Sequence, residues 1–360
     1  MHRPEKNQST RGSTLIGAIA VVAAIAAVTA IAVGWQVTRF LDTAADVPAD
    51  GLTFEIAPGT AFVAVSNELA AQGVISHPLV FRWYARLTGE ANRVHAGEYV
   101  LEPGITPAQL LRKFVAGDVR LYSFTIVEGW THYNLISGLR RHGAVEQSLG
   151  DDDWQDLLQT LGSDATHPEG LFLPETYRFP KGTKDTEILR RAYQMMTETL
   201  REEWRSRADD LPLSDPYEAL ILASIVERET AREDERARIA GVFVRRLQKG
   251  MRLQTDPTVI YGIGPDFDGN LTRRDLQTHT DYNTYMRSGM PPTPIALPGR
   301  ASIHAALNPA PGPELYFVAT GLSDGSHKFS ETKAEHDAAV TEYLARLRNA
   351  RRERENDGSR

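Results

Sequence analysis

Thr14 to Gly34 carries no charged residue and consists largely of Ala, Ile and Val. A helix of that length spans a hydrocarbon core of about 30 Å. This segment constrains everything else, because it divides the chain between the two sides of a membrane. Arg3, Lys6 and Arg11 precede it, whereas only Arg39 follows closely, among Asp42, Asp46 and Asp50. The positive-inside rule makes 1–13 a cytoplasmic tail and 14–34 a single N-terminal transmembrane helix. All that follows Trp35 is expected outside the cell (inner) membrane, on its periplasmic or extracellular side. Trp35 suits the interface. The competing reading is a cleaved signal peptide, with a cleavage site at Ala27-Val28-Thr29-Ala30. The apolar stretch exceeds the usual length of such a signal, which favours an uncleaved anchor.

The composition excludes several classes of function. The chain holds 40 Lys and Arg against 47 Asp and Glu, a formal net charge of −7. That balance disfavours a general electrostatic grip on nucleic acid or anionic lipid. No cysteine is present, so disulfides, thiolate nucleophiles and Cys-based zinc sites are excluded. No HExxH spacing, phosphate loop or nucleophile-elbow motif occurs, and no metal or cofactor is expected. His304, His327 and His336 are read as solvated or core-satisfied histidines.

The strongest chemical signal lies where a buried helix ends in two carboxylates. Asp215 can cap the helix, Pro216 suits its first turn, and Glu218 completes a capping box. Apolar residues crowd from Ala219 to Val226, and Glu227 and Glu229 follow. A carboxylate on such a face is desolvated, which raises its pKa toward that of a general acid. Glu229 shares a face with Leu222, Ile225 and Val226; Glu227 shares one with Leu220, Ala223 and Ser224. The first face is bulkier and lacks a hydroxyl, which favours Glu229, with Glu227 as the fallback. On spacing alone, the bland reading stays open: two solvated glutamates where the helix enters the charged run Arg232–Arg236.

The rest of the exported chain reads as α+β. A polar linker covers 35–52. Residues 53–120 form a small module, with a strand at Thr53–Ile56, helices at 63–72 and 78–87, a strand at Glu98–Leu101 and a helix at 107–115. Phe81, Trp83 and Tyr84 suit either a core or a sugar-stacking surface. A larger mixed α+β domain covers 121–348. It opens with a strand and turn at Thr125–Trp130 and closes with a hairpin, Leu315–Ala319 and His327–Phe329, and a helix at 333–348. The charged tail 349–360 is expected to be disordered.

Four blocks, in order, carry a family resemblance. They are Glu169-Gly170-Leu171-Phe172-Leu173-Pro174-Glu175-Thr176-Tyr177, Ala223–Thr230, Met251–Gly262, and Tyr282-Asn283-Thr284-Tyr285 followed by Gly289-Met290-Pro291-Pro292. Together they resemble the endolytic murein transglycosylases, the membrane-anchored YceG-like proteins, over nearly the whole chain. The loop Met290–Gly299 departs from the family pattern at Thr293 and Leu297. The resemblance implies a LysM-like βααβ module at 53–120 and a catalytic domain at 121–348. It implies a lyase that cleaves the β-1,4 bond between N-acetylmuramic acid and N-acetylglucosamine in nascent strands, leaves 1,6-anhydro ends and terminates strand elongation. Glu229 is then the catalytic acid and base. Gln254, Thr255, Asp256, Tyr282, Asn283 and Tyr285 are substrate-binding candidates, each with a structural-turn or core alternative. Peptidoglycan strands are the implied partner, with peptidoglycan synthases as neighbours. Two other readings stand beside it: a non-catalytic peptidoglycan-binding scaffold, and a muramidase-type hydrolase pairing Glu229 with Glu227 or Asp256.

Overall fold

The computed structural model describes residues 10–357. Most of the expected cytoplasmic tail, positions 1–9, therefore lies outside the described residues, as do 358–360. Helix α1 (Thr10–Asp42) runs for 33 residues, about 50 Å at 1.5 Å per residue. Its part Ala18–Asp42 is long and apolar enough to cross a membrane, and no residue of its most apolar window is buried within the protein.

The chain forms two compact units that divide after Leu121. Beyond α1, the first unit contains β1 (Leu52–Ile56), α2 (Phe62–Ala71), α3 (Pro78–Leu87), β2 (Gly97–Leu101) and α4 (Pro107–Ala116). Strand, helix, helix and strand follow in the order read from the sequence. β1 and β2 pair antiparallel with Phe54 opposite Tyr99. Alternation along both strands sends Phe54, Ile56, Tyr99 and Leu101 into one core with Leu69, Phe81, Leu110 and Phe114. The Tyr99 hydroxyl, buried with its ring, donates to the His95 carbonyl at 2.7 Å. A Thr106/Gln109 capping box starts α4, and Gly117 ends it at φ 65°. Of the three aromatics open to two readings, Phe81 is core, Tyr84 is half-buried and Trp83 is exposed.

The second unit contains β3 (Leu121–Thr125), α5 (His132–Arg141), β4 (Val145–Glu146), α6 (Trp154–Thr160), β5 (Thr176–Pro180), β6 (Thr183–Lys184) and α7 (Asp185–Arg205). It continues with α8 (Pro216–Glu229), α9 (Glu233–Gln248), α10 (Asp256–Ile263), α11 (Arg273–Gln277) and α12 (Arg300–Leu307). It ends with β7 (Tyr316–Ala319), β8 (His327–Ser330) and α13 (Lys333–Asp357). Among the described residues the strands pair two by two: β1 with β2, β3 with β5, β4 with β6, and β7 with β8. The core is therefore mainly helix against helix.

One sequence expectation is corrected here. The strand expected at Thr125–Trp130 lies earlier, at 121–125. The following residues form a loop, with the Ile126 amide on the Glu175 carbonyl (3.0 Å) and the Gly129 amide on the Leu297 carbonyl (2.9 Å). Helix α13 runs beyond 348 as far as Asp357. Its Ala, Arg and Glu residues are strong helix formers, and no Gly or Pro interrupts them before Gly358.

Helix α8 sits at the centre of the unit, with every residue from Ala219 to Val226 buried. It packs against α7, α9, α10 and α12. Asp215 caps it by accepting the Glu218 amide at 2.9 Å. The Glu218 carboxylate reaches back to the Ser214 amide, one residue before the position a capping box predicts. The loop 290–299 closes over α8: the Ile295 amide donates to the buried Ser224 hydroxyl (3.0 Å), which itself donates to the Ile221 carbonyl (2.7 Å). Leu297, one of the two departures from the family pattern, is fully buried in this core.

Candidate active site

The last turn of α8 sends its two glutamates in different directions. Glu227 accepts the Gly299 amide at 2.9 Å. Gly299 is the N-cap residue of α12, so this carboxylate lies at a helix N-terminus, where negative charge is favoured. The Arg236 guanidinium lies between Glu227 (4.0 Å) and Glu128 (3.8 Å). Burial, and secondarily the Glu227 charge, hold the Glu128 carboxyl above its ordinary range.

Glu229 instead opens on a cavity of about 480 Å³. Its carboxylate accepts the Thr255 hydroxyl at 2.7 Å. Thr255 occupies the N-cap position of α10 but makes no side-chain cap, so its hydroxyl is available for the glutamate. Burial pushes the Glu229 carboxyl from an ordinary 4.5 to about 7. The Thr255 hydrogen bond opposes that shift, Asp256 adds to it, and Arg246 opposes it. The result is a carboxyl group that holds its proton to near neutrality inside a cleft.

The wall beside Glu229 comes from the turn before α10. Gln254 adopts a left-handed backbone conformation, φ 52°, unusual for a residue with a side chain. Its amide bonds the Thr284 carbonyl (3.2 Å), and the Thr255 amide bonds the Thr284 hydroxyl (3.1 Å). Thr258 shares a further hydroxyl contact with Thr284 at 2.9 Å. These bonds tie the 254–256 turn to the Tyr282–Tyr285 block. Thr255 is extended, and Asp256 begins α10 with Pro257 in its first turn. The Asp256 carboxylate accepts the Tyr285 hydroxyl at 2.6 Å. Burial and this bond push the Tyr285 phenol well above its ordinary pKa.

The six cleft candidates therefore separate. Gln254, Asp256 and Tyr285 line the cavity with Glu229, and Thr255 touches the carboxylate itself. Asn283 does not reach the cleft with its amide. Its Nδ2 faces the carbonyls of Asp275, Leu276 and Thr278 at 3.0, 3.2 and 2.6 Å, and its Oδ1 accepts the Tyr285 amide. These four bonds hold the loop 275–285 together. Tyr282 is likewise turned away, with its hydroxyl on Thr293 (2.9 Å) and its ring 4.9 Å from that of Tyr261.

The opposite wall was not foreseen. It is built by Arg246 from α9, Tyr316 from β7, and Lys333, His336 and Tyr343 from α13. Arg246 is largely buried, donating to the carbonyls of Leu253 (2.6 Å) and Leu315 (2.7 Å). His336, read from the sequence as a solvated or core histidine, stacks on Tyr316. Burial, then the Lys333 charge, lower its imidazole pKa below the ordinary range; Asp337 opposes the shift and Arg246 adds to it. Among the described residues no cluster of His, Cys, Asp or Glu suits a metal ion.

Comparison with known proteins gives this geometry a context. The chain is 30% identical over 311 residues to a protein named endolytic murein transglycosylase from Bacillus subtilis, covering 82% of this chain and 85% of the relative. It is 26% identical over 326 residues to one of the same name from Streptococcus pneumoniae, where it spans 81% of this chain but only 58% of the relative. A crystal structure of a yceG-like protein from Listeria monocytogenes superimposes with a TM-score of 0.53 at 28% identity, covering 81% of this chain and 99% of that one. The sequence model of the YceG-like family matches residues 54–342, and the chain belongs to that family.

Proposed function

We propose that this protein is a membrane-anchored endolytic lytic transglycosylase, a lyase of peptidoglycan, with Glu229 as its acid and base. The observation that carries the reading is the Glu229 carboxyl, raised to about 7, on a cavity of about 480 Å³. The names of the relatives support the substrate. The reaction cleaves the β-1,4 bond between N-acetylmuramic acid and N-acetylglucosamine. Protonated Glu229 delivers its proton to the leaving glycosidic oxygen. The resulting carboxylate then takes the proton of the muramic 6-hydroxyl as that oxygen attacks its own anomeric carbon. A 1,6-anhydro end forms and water is not consumed.

One carboxyl suffices for this sequence, whereas hydrolysis uses two. Asp256 shares the cavity but is engaged by Tyr285, and Glu227 is engaged by Gly299 and Arg236. Arg246 and Lys333 on the far wall complement the lactyl carboxylate of muramic acid. The 53–120 module fits a LysM-like role in holding strands. The length and apolarity of Ala18–Asp42 support an anchor that would keep the enzyme at the outer face of the cytoplasmic membrane, where peptidoglycan synthases are the expected neighbours. Termination of nascent strands is the role consistent with that position.

The test is product analysis of uncrosslinked glycan strands treated with the full chain in detergent. Anhydromuramoyl ends support the lyase. Reducing muramic ends would assign a hydrolase, and intact strands with retained binding a scaffold. A second prediction concerns Thr255. Its hydroxyl lowers the Glu229 pKa, so Thr255→Val raises it. The alkaline limb of the pH–activity profile should move to higher pH. An unmoved limb would detach Thr255 from the acid.

A further inference from the structure

Helix α3 is apolar on two opposite faces. Phe81 and Ala85 are buried in the module core. Leu79, Trp83 and Leu87 lie at i, i+4 and i+8 on another face, with exposures of 63%, 61% and 82%. Such a stripe on a ten-residue helix calls for a partner. Arg82 and Arg86 flank it, and together with Val63 and Trp83 they frame a shallow groove.

The position of α3 names that partner. The Phe40 ring, near the end of α1, lies 5.4 Å from the ring of His77, the residue that precedes α3. The chain leaving α1 is pinned to the module by the Ala45 amide on the Ile105 carbonyl (2.7 Å) and the Asp46 amide on the Val74 carbonyl (3.1 Å). A cavity of about 530 Å³ has Val33 and Val37 of α1 on one wall and Val80 of α3 on the other. Val33 belongs to the uncharged stretch that fits the hydrocarbon core. The first turn of α3 therefore stands at the level where the membrane helix leaves the lipid.

We propose that α3 lies along the outer surface of the bilayer, with Leu79, Trp83 and Leu87 in the boundary between acyl chains and headgroups. Arg82 and Arg86 reach lipid phosphates from its flanks. This rests on the reading of α1 as a membrane anchor. The chemistry fits lipid: aliphatic side chains, an indole and guanidinium groups are the residues of membrane interfaces. A glycan platform pairs its aromatic ring with both acceptors and donors for sugar hydroxyls; here Val63 and Leu79 supply neither, and Arg82 and Arg86 donate only. The net charge of −7 does not oppose the contact, because the two arginines act within a Debye length of the surface. The module then has a fixed face toward the membrane instead of swinging on a tether.

The absence of cysteine makes the test direct. Leu79→Cys, Leu87→Cys, Glu68→Cys and Ile25→Cys are each labelled with an environment-sensitive fluorophore in the full chain. The labelled chains are reconstituted in vesicles of phosphatidylethanolamine and phosphatidylglycerol. Leu79, Leu87 and Glu68 are exposed, so these substitutions leave the core intact. Labels at 79 and 87 should be quenched several-fold more by brominated acyl chains, and less by aqueous iodide, than the label at 68. Equal behaviour at 68, 79 and 87, with 25 still quenched by lipid, would overturn the proposal alone. An Ile25 label open to iodide would overturn the anchor and the proposal with it. Shielding of 79 and 87 by added glycan strands, with no quenching by lipid, would make the stripe a glycan surface and reject the membrane contact.

Discussion

Glu229→Gln should cut release of anhydromuramoyl product by at least about 10²–10⁴-fold, the usual worth of general acid–base catalysis, and should stabilise the fold at alkaline pH. The amide keeps the shape and still accepts the Thr255 hydroxyl, but carries no transferable proton. The gain in stability follows from the raised pKa. Glu229 ionises near 4.5 when unfolded and about 7 when folded. Between those values the folded state binds more protons, so stability is full below the unfolded pKa. It falls as pH rises toward the folded one and stays flat beyond it. The penalty above pH 7 is on the order of 3 kcal/mol, and Gln does not incur it. Thermal unfolding at about pH 8 should therefore favour the variant, and the difference should vanish below about pH 4.5. An equal Tm difference at both pH values would mean the carboxyl is not desolvated. Glu227→Gln should retain most product formation. If it abolishes product while Glu229→Gln does not, the acid is Glu227. A folded double variant that still forms product would remove both.

Helix α8, its Asp215 cap and the β7–β8 hairpin were legible in the sequence because each rests on local chemistry: a capping side chain, a run of buried residues, a strand pair separated by a short turn. The choice between the glutamates was only half legible. The two helix faces differ in bulk and polarity, yet both are buried: Leu220, Ala223 and Ser224 are as inaccessible as Leu222, Ile225 and Val226. What separates the carboxylates is what meets them across the fold. Thr255 reaches one, and Gly299 and Arg236 reach the other, from distant segments. No helical spacing encodes such contacts. The same limit explains Asn283, where a polar residue in a recognisable block turns inward to serve three carbonyls. It also explains the far wall, since Arg246 sits in a charged helix like many solvated arginines. Gly170 is a case the sequence marked without its reason. It adopts φ 80°, and a Cβ there would lie 2.5 Å from Pro294, so the residue after Glu169 must be glycine for the 290–299 loop to close.

Glu169→Ala should be the most destabilising single change in the second unit outside its apolar core. The Glu169 carboxylate is fully buried. It accepts the His132 amide (3.0 and 3.2 Å), the His132 Nδ1 (2.7 Å) and the Tyr261 hydroxyl (3.0 Å). It thus joins the first residue of α5 to the helix that carries Asp256. Removing it strands three buried donors, and each buried polar group left unsatisfied costs about 1–3 kcal/mol. A unit of this size loses roughly 2–4 °C in Tm per kcal/mol, so the drop should be plain in thermal unfolding. Glu169→Gln should cost less, because one oxygen still accepts, though its amide group faces donors. Burial and the Glu169 charge push the Tyr261 phenol well above its ordinary pKa, which keeps its proton on the bond. Tyr261→Phe then removes one donor, and it should cost less in the Glu169→Ala background than in the wild type. A double-mutant cycle measures that coupling, expected at about 0.5–3 kcal/mol for groups in one network. Activity should fall with the coupling, because α10 carries Asp256 and follows directly from Thr255. If Glu169→Ala unfolds within about 0.5 kcal/mol of wild type, the buried network does not hold α10 in place, and the alignment of Thr255 with Glu229 must come from Thr284 and Asn283 alone.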